Sequence, residues 1–226
     1  MSKAATFLNS QVGRKIATGI TGIGLVLFII VHLIGNLTYF AGADAINTYS
    51  YTLHQMGPLL WVVRLGLLAF FLYHAWLGLS IWLERRRARP EGYKVHASRG
   101  EPSRQNWSSR SMIITGVLLL LFVITHLNTF AFHDFSTAVV NGVEMHDVHE
   151  RLTEVFSQPG YTVYYVIIMV LLGMHLRHGV WSAFQSLGWM SRRTNPIIYS
   201  IAFVLALIIA IGFIGLPISI YIGQNF

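Results

Sequence analysis

Apolar residues fill five long stretches of the chain, at about 16–40, 59–83, 112–132, 161–187 and 197–223, and no Asp or Glu interrupts any of them. A helix crossing the ~30 Å hydrocarbon core of a bilayer needs about 20 mostly apolar residues, so each stretch is long enough to span. Polar residues collect in the segments between, at 42–58, 84–110, 134–160 and 188–195. Pro196 opens the last stretch, in the first helical turn where proline costs least. The pattern predicts an all-α membrane protein of five transmembrane helices, with residues 1–226 forming one integral-membrane domain. The opening MSKAATFLNSQVGRK has no apolar run or small-residue cleavage site of the signal-peptide kind, so the first span is expected to remain in the chain.

Composition agrees with that pattern. Of 226 residues 54% are hydrophobic and 11% charged, against about 25% charged in a soluble domain. A water-soluble enzyme is thereby excluded. The chain has no cysteine, which removes disulfides, thiolate metal ligands, a resident iron–sulfur cluster and a cysteine nucleophile. The net charge of +7 resembles a nucleic-acid signal only until the charges are placed. Lys3, Arg14, Lys15, Arg85, Arg86, Arg87, Arg89, Lys94, Arg99, Arg104, Arg110, Arg192 and Arg193, 13 of the 16 basic residues, flank one side of the spans. Six of the nine acids, Asp44, Asp134, Glu144, Asp147, Glu150 and Glu154, flank the other. Lysine and arginine mark the cytoplasmic side. The expected place is therefore the cytoplasmic or inner membrane, with the N-terminus inside, the C-terminus outside, lipid as a partner and no nucleic acid.

Histidine carries the chemistry. His32, His74, His126 and His175 stand one to each of the first four spans, and an ionisable ring inside a membrane faces the bundle interior for a purpose. At ~1.5 Å per helical residue, His32 lies about 25 Å from Lys15 and His126 about 24 Å from Arg110. By the same rise His74 is about 16 Å from Arg85, and His175 about 18 Å from Leu187. Two rings thus share an outer depth and two an inner one. Facing imidazoles at one depth are what a bis-histidine haem b requires, and two such pairs make a four-helix haem-binding bundle with a fifth helix beside it. His178 is an alternative to His175 that spacing does not decide. Gly19, Gly22, Gly24, Gly78, Gly173 and Gly179 leave room for a flat macrocycle, although ordinary small-residue helix packing places glycines in the same way. His54, His96, His133, His146 and His149 fall in connecting segments and read as solvated. A histidine proton-relay transporter would carry acids near the midplane of broken helices, and the spans have none. A plain scaffold leaves the depth-matched rings unexplained.

The residues around these histidines resemble a known family. GRKIATGITGIGLVLFIIVHLIGNLTYF, FFLYHAWLG, SSRSMIITGVLLLLFVITHL and GMHLRHGVWSAFQSLG are similar to the cytochrome b558 family, the dihaem membrane anchor of succinate:quinone oxidoreductases (succinate dehydrogenases and fumarate reductases). The resemblance implies two haems b. His74 and His175 would hold the iron of the inner, proximal one, and His32 and His126 that of the outer, distal one. The first histidine of HLRHG matches the family ligand, which favours His175 over His178. A flavoprotein subunit and an iron–sulfur subunit would dock on the cytoplasmic side, on the N-terminal arm and the basic loop 84–110. Electrons would pass between them and a membrane quinone, with menaquinone expected and the oligomer of the complex left open.

The quinone is expected near the distal haem, where His54, Gln55 and Asn36 are candidates. His54 stands at the offset of a carboxylate implicated in quinone chemistry in a related fumarate reductase. Propionates need donors at the membrane edges: Arg14, Trp107, Ser109 and Arg177 lie at the inner depth and Arg64 at the outer, where interface anchoring would also put such residues. Gly173 stands where proton-moving fumarate reductases carry a glutamate. That favours succinate oxidation, with fumarate reduction or another dihaem quinone-linked cytochrome b as the alternative.

Overall fold

In the computed structural model, residues 10–88 and 107–226 are described. Lys3, Arg89, Lys94, His96, Arg99 and Arg104, with most of the expected docking loop, lie outside these residues. Five helices are long and apolar enough to cross a membrane. They are α1 (Gln11–Leu37, continued by a 3-10 turn, Thr38–Ala41), α3 (Pro58–Ala88), α5 (Met112–Phe130), α7 (Pro159–Ser186) and α8 (Thr194–Asn225). A short helix α4 (Trp107–Arg110) precedes α5. Ser10 caps α1 by accepting from the Gly13 N–H, and Arg85, Arg86 and Arg87 occupy the last turn of α3, where the helix dipole favours cations.

Two segments expected as loops are folded. The first holds α2 (Ala43–His54). The second forms a hairpin, β1 (Thr137–Val140) against β2 (Val143–His146), followed by α6 (Val148–Phe156). Asn141 and Gly142 turn the hairpin at φ 51° and 78°, the positive-φ pair that an Asn-Gly two-residue turn supplies. Asp147 caps α6 by accepting from the Glu150 N–H. Buried Asn47 ties α2 to that cap, donating to Asp147 Oδ1 and accepting from the His149 N–H, each at 3.0 Å.

Four of the long helices form a ring, with α1 against α3, α3 against α5, α5 against α7 and α7 against α1. α8 lies outside it, packed on α7 most extensively and on α1. Close approach depends on small residues. A Cβ on Gly173 would stand 3.0 Å from Ala210 Cβ, one on Gly212 2.9 Å from the Leu33 methyls, and one on Gly19 3.4 Å from the Ala183 carbonyl. Leu33, Ile168, Met169, Leu172, Leu176, Ala206 and Ile209 form the buried seam between α1, α7 and α8. A second cluster, centred on Ile46, Leu152, Val155, Phe156 and Tyr165, seats α2 and α6 at the end away from Arg14, Arg85, Arg86 and Arg87.

Candidate functional site

Across the two diagonals of the ring, α1 to α5 and α3 to α7, the helices make no contact comparable with that of their neighbours among the described residues. The four histidines face each other across those diagonals. His32 of α1 meets His126 of α5 with ring centroids 5.8 Å apart, and His74 of α3 meets His175 of α7 at 6.5 Å. His178, the alternative on α7, lies against Trp181 instead.

A transition metal bound to imidazole at ~2.0 Å per bond, with about 1 Å more from each nitrogen to its ring centre, separates two opposed rings by about 6 Å. Both pairs match that spacing. A residue at Gly22 would bring its Cβ within 3.3 Å of His74 Cε1, and one at Gly116 within 3.6 Å of His175 Cε1. Cβ positions at Gly78 and Gly179 meet nothing within 4 Å. Of the glycines read from the sequence, Gly19 and Gly173 serve helix packing, Gly22 lies beside a histidine, and Gly24 would bring a Cβ within 2.7 Å of the Phe70 ring. The four half-buried imidazoles, nitrogen ligands in an apolar frame, fit two haems b.

Polar partners orient the rings. Thr21 Oγ1 lies 3.2 Å from His74 Nδ1, and Thr115 Oγ1 lies 3.0 Å from His175 Nδ1. Both threonines are buried. At the other pair His126 Nδ1 is 3.4 Å from the Tyr165 hydroxyl, and His32 stacks on Phe28 and tilts against Phe213 of α8. Asn36 reaches back one turn, donating to the His32 carbonyl at 2.8 Å with its Nδ2 3.4 Å from His32 Nε2. No feature of the sequence alone pointed to Thr21 or Thr115, since threonine is common in membrane helices.

His54 and Gln55 lie away from Asn36's contacts, in a cleft of about 310 Å³ between the end of α2 and the hairpin. His54 donates its Nδ1–H to the Ser50 carbonyl at 2.8 Å, which leaves Nε2 as the acceptor. Its ring is 5.8 Å from that of His146, and Glu144 lines the same cleft. The hairpin thus brings Glu144 and His146, both exposed, to the cleft that His54 lines.

The arginine candidates go different ways. Arg14 pairs with Glu84, joining α1 to α3, and its buried Nε has no partner. Arg177 turns toward α8, donating to the Tyr199 hydroxyl at 2.8 Å and lying over Tyr199 and Phe203; its Nε is also buried without a partner. Arg64 is exposed over Trp61. Trp107 is fully solvent- or lipid-facing at 84% exposure, whereas Ser109 on the same short turn is half-buried.

The profile of a protein family described as succinate dehydrogenase/fumarate reductase transmembrane subunit matches residues 84–215. The chain belongs to this family. No curated protein and no solved structure matches it. The succinate dehydrogenase/fumarate reductase match takes in His126 and His175 and begins beyond His32 and His74. Membership makes the chain a multi-pass membrane subunit that associates with the other subunits of such a complex.

Proposed function

We propose that this subunit is the dihaem cytochrome b anchor of a succinate:quinone oxidoreductase, carrying electrons between an iron–sulfur subunit and a membrane quinone. The observation that carries the reading is the pairing of four histidines across the two open diagonals of the ring, at 5.8 and 6.5 Å. His74 and His175 hold the haem nearer the basic end of the bundle, and His32 and His126 the other. Two bis-histidine haems supply one-electron relay with no open coordination position for chemistry on a substrate.

The chain's own residues do the rest. The basic end, with Arg14, Arg85, Arg86, Arg87 and Arg110, faces the cytoplasm and receives the flavoprotein and iron–sulfur subunits. The opposite end carries the quinone, menaquinone by the family resemblance. There His54, whose Nε2 is free to accept a proton, exchanges it with a quinone oxygen and Gln55 orients the headgroup, with Asn36, outside that cleft and beside His32, as the further candidate. Imidazole is the side chain suited to proton exchange at neutral pH. The buried, singly partnered guanidinium groups of Arg14 and Arg177 are donors for propionates at the basic end. Trp107 and Ser109 are further candidates there, and Arg64 at the other end. Succinate oxidation is the favoured direction, because by the family resemblance Gly173 stands where proton-moving fumarate reductases carry a glutamate.

The test is a reduced-minus-oxidised spectrum with pyridine haemochrome quantitation on the purified complex. Two haems b per chain are expected, with His126→Ala and His74→Ala each removing one. A chain without haem overturns the electron-relay reading. Loss of one haem in His178→Ala, with His175→Ala unaffected, overturns the ligand assignment. For the quinone site, His54→Leu is expected to lower quinone reduction at least tenfold while both haems remain; unchanged turnover refutes that assignment.

A further inference from the structure

The contacts of the basic-end histidines fix more than their position. Thr21 Oγ1 reaches the Ala17 carbonyl at 2.8 Å, with that of Thr18 at 3.2 Å, and Thr115 Oγ1 reaches the Ser111 carbonyl at 3.0 Å, with that of Met112 at 3.2 Å. A carbonyl can only accept, and a hydroxyl has a single hydrogen. Each threonine hydrogen is therefore spent on its own helix, and the oxygen facing histidine Nδ1 accepts. The proton of each ring then sits on Nδ1, and the lone pair sits on Nε2.

We propose that Thr21 and Thr115 are positioning residues that lock His74 and His175 in the Nδ1–H tautomer, presenting Nε2 to the basic-end haem iron and raising the ligands' basicity. The proposal rests on the haem reading of this pair. The arrangement is built from two elements that hold neither ring: Thr21 on α1 serves His74 of α3, and Thr115 on α5 serves His175 of α7. Partners of this kind typically change metal affinity 10–100-fold when removed. The other pair has no such threonine: His126 has the Tyr165 hydroxyl and His32 has Asn36 Nδ2, each at 3.4 Å, so the second haem in the same molecule serves as an internal reference.

An acceptor on Nδ1–H makes imidazole a stronger donor and favours ferric iron, so its removal raises the midpoint potential. The experiment is a redox titration with low-temperature electron paramagnetic resonance on the full complex carrying Thr115→Val, Thr115→Ser, Thr21→Val or Thr21→Ser. In Thr115→Val the reduced-to-oxidised ratio of the basic-end haem at fixed ambient potential is expected to rise several-fold, a tenfold rise being 59 mV for one electron. Its ferric resonance should shift, the other haem should stay put, and Thr115→Ser should return both signals to wild type. Loss of the basic-end haem in the valine variant with retention in the serine variant supports the same conclusion. Wild-type potentials and resonances in both valine variants overturn it, as does a serine variant as altered as the valine one, which would point to shape rather than the hydroxyl. A wild-type complex whose haem content His74→Ala leaves unchanged instead overturns the haem reading beneath it.

Discussion

Replacing Gly173 by alanine is expected to loosen the bundle by an amount the structure sets. The new Cβ would stand 3.0 Å from Ala210 Cβ and 3.7 Å from the Ala206 carbonyl oxygen. Non-bonded carbons rest at about 3.5–4.0 Å, so α7 and α8 must separate there by roughly 0.5–1 Å. Neither neighbour is the end of a flexible side chain, and Ala206 is 3% exposed, so the strain is not relieved by a rotamer change. Overpacking of this kind costs about 1–3 kcal/mol. For a chain of this size that lowers the melting temperature by about 2–4 °C per kcal/mol. The assay is thermal unfolding of the detergent-solubilised complex, followed by tryptophan fluorescence, for Gly173→Ala, Ala210→Gly and the double variant. Removing the opposing methyl should restore most of the loss, giving an interaction energy of about 1 kcal/mol or more for residues in contact. Gly215→Ala on the same α8, where a Cβ meets nothing within 4 Å, should melt like the wild type. Wild-type melting of Gly173→Ala, or a double variant no better than the single, would refute the argument from close helix approach.

Two further outcomes follow from the geometry. Gly22→Val should displace the His74 ring, because even the first carbon lies 3.3 Å from Cε1, and should reduce haem to about one per chain. Gly116→Ala, at an ordinary 3.6 Å from His175, should keep two by haemochrome quantitation. Asn47→Ala removes two hydrogen bonds at a site 1% exposed and should cost about 1–3 kcal/mol, visible as faster amide exchange across Val148–Phe156 with the haem spectrum unchanged.

The spans were legible because a bilayer permits few alternatives. Long apolar stretches bounded by arginines fix five helices, and a 1.5 Å rise is enough to match ring depths. The rings then meet in the two pairs that depth matching gives. Depth says nothing about face: Arg177 lies at the inner depth, and its guanidinium reaches Tyr199 and Phe203 of α8 while its buried Nε is left without a partner. The hairpin did leave a mark in the sequence, since Asn141-Gly142 stands between TAVV and VEMH, a β-turn signature. So did α6, whose Asp147 and Glu150 have cap spacing. Both lie between spans, where polar composition by itself reads as connection. Thr21 and Thr115 left none, because each acts on a ring from another helix, more than 50 positions away in sequence.

The helix that holds none of the four paired histidines explains why the ring of four keeps its open diagonals. Van der Waals packing rather than the hydrophobic effect holds membrane helices together, and four helices left to themselves would gain contact by closing on their centre. α8 opposes that closure from outside. It takes up α7 through Gly173 and Ala210, and α1 through Gly212 and Leu33, and it lays Phe213 against His32. α1 and α7 belong to different diagonals, so one external helix braces one member of each histidine pair. α3 has no such brace. Leu77 is its only buried residue among those described, and it is held to α1 by Arg14 with Glu84 and by Thr21 with His74. With a macrocycle between His74 and His175, α3 would gain the partner across the ring that protein packing does not provide. Binding energy there is stability for α3 above all. A complex made under haem limitation should therefore show protease cleavage or fast amide exchange first in Pro58–Ala88, with α7 and α8 still protected. Equal loosening of α7 and α8 would mean that the fifth helix does not carry the brace.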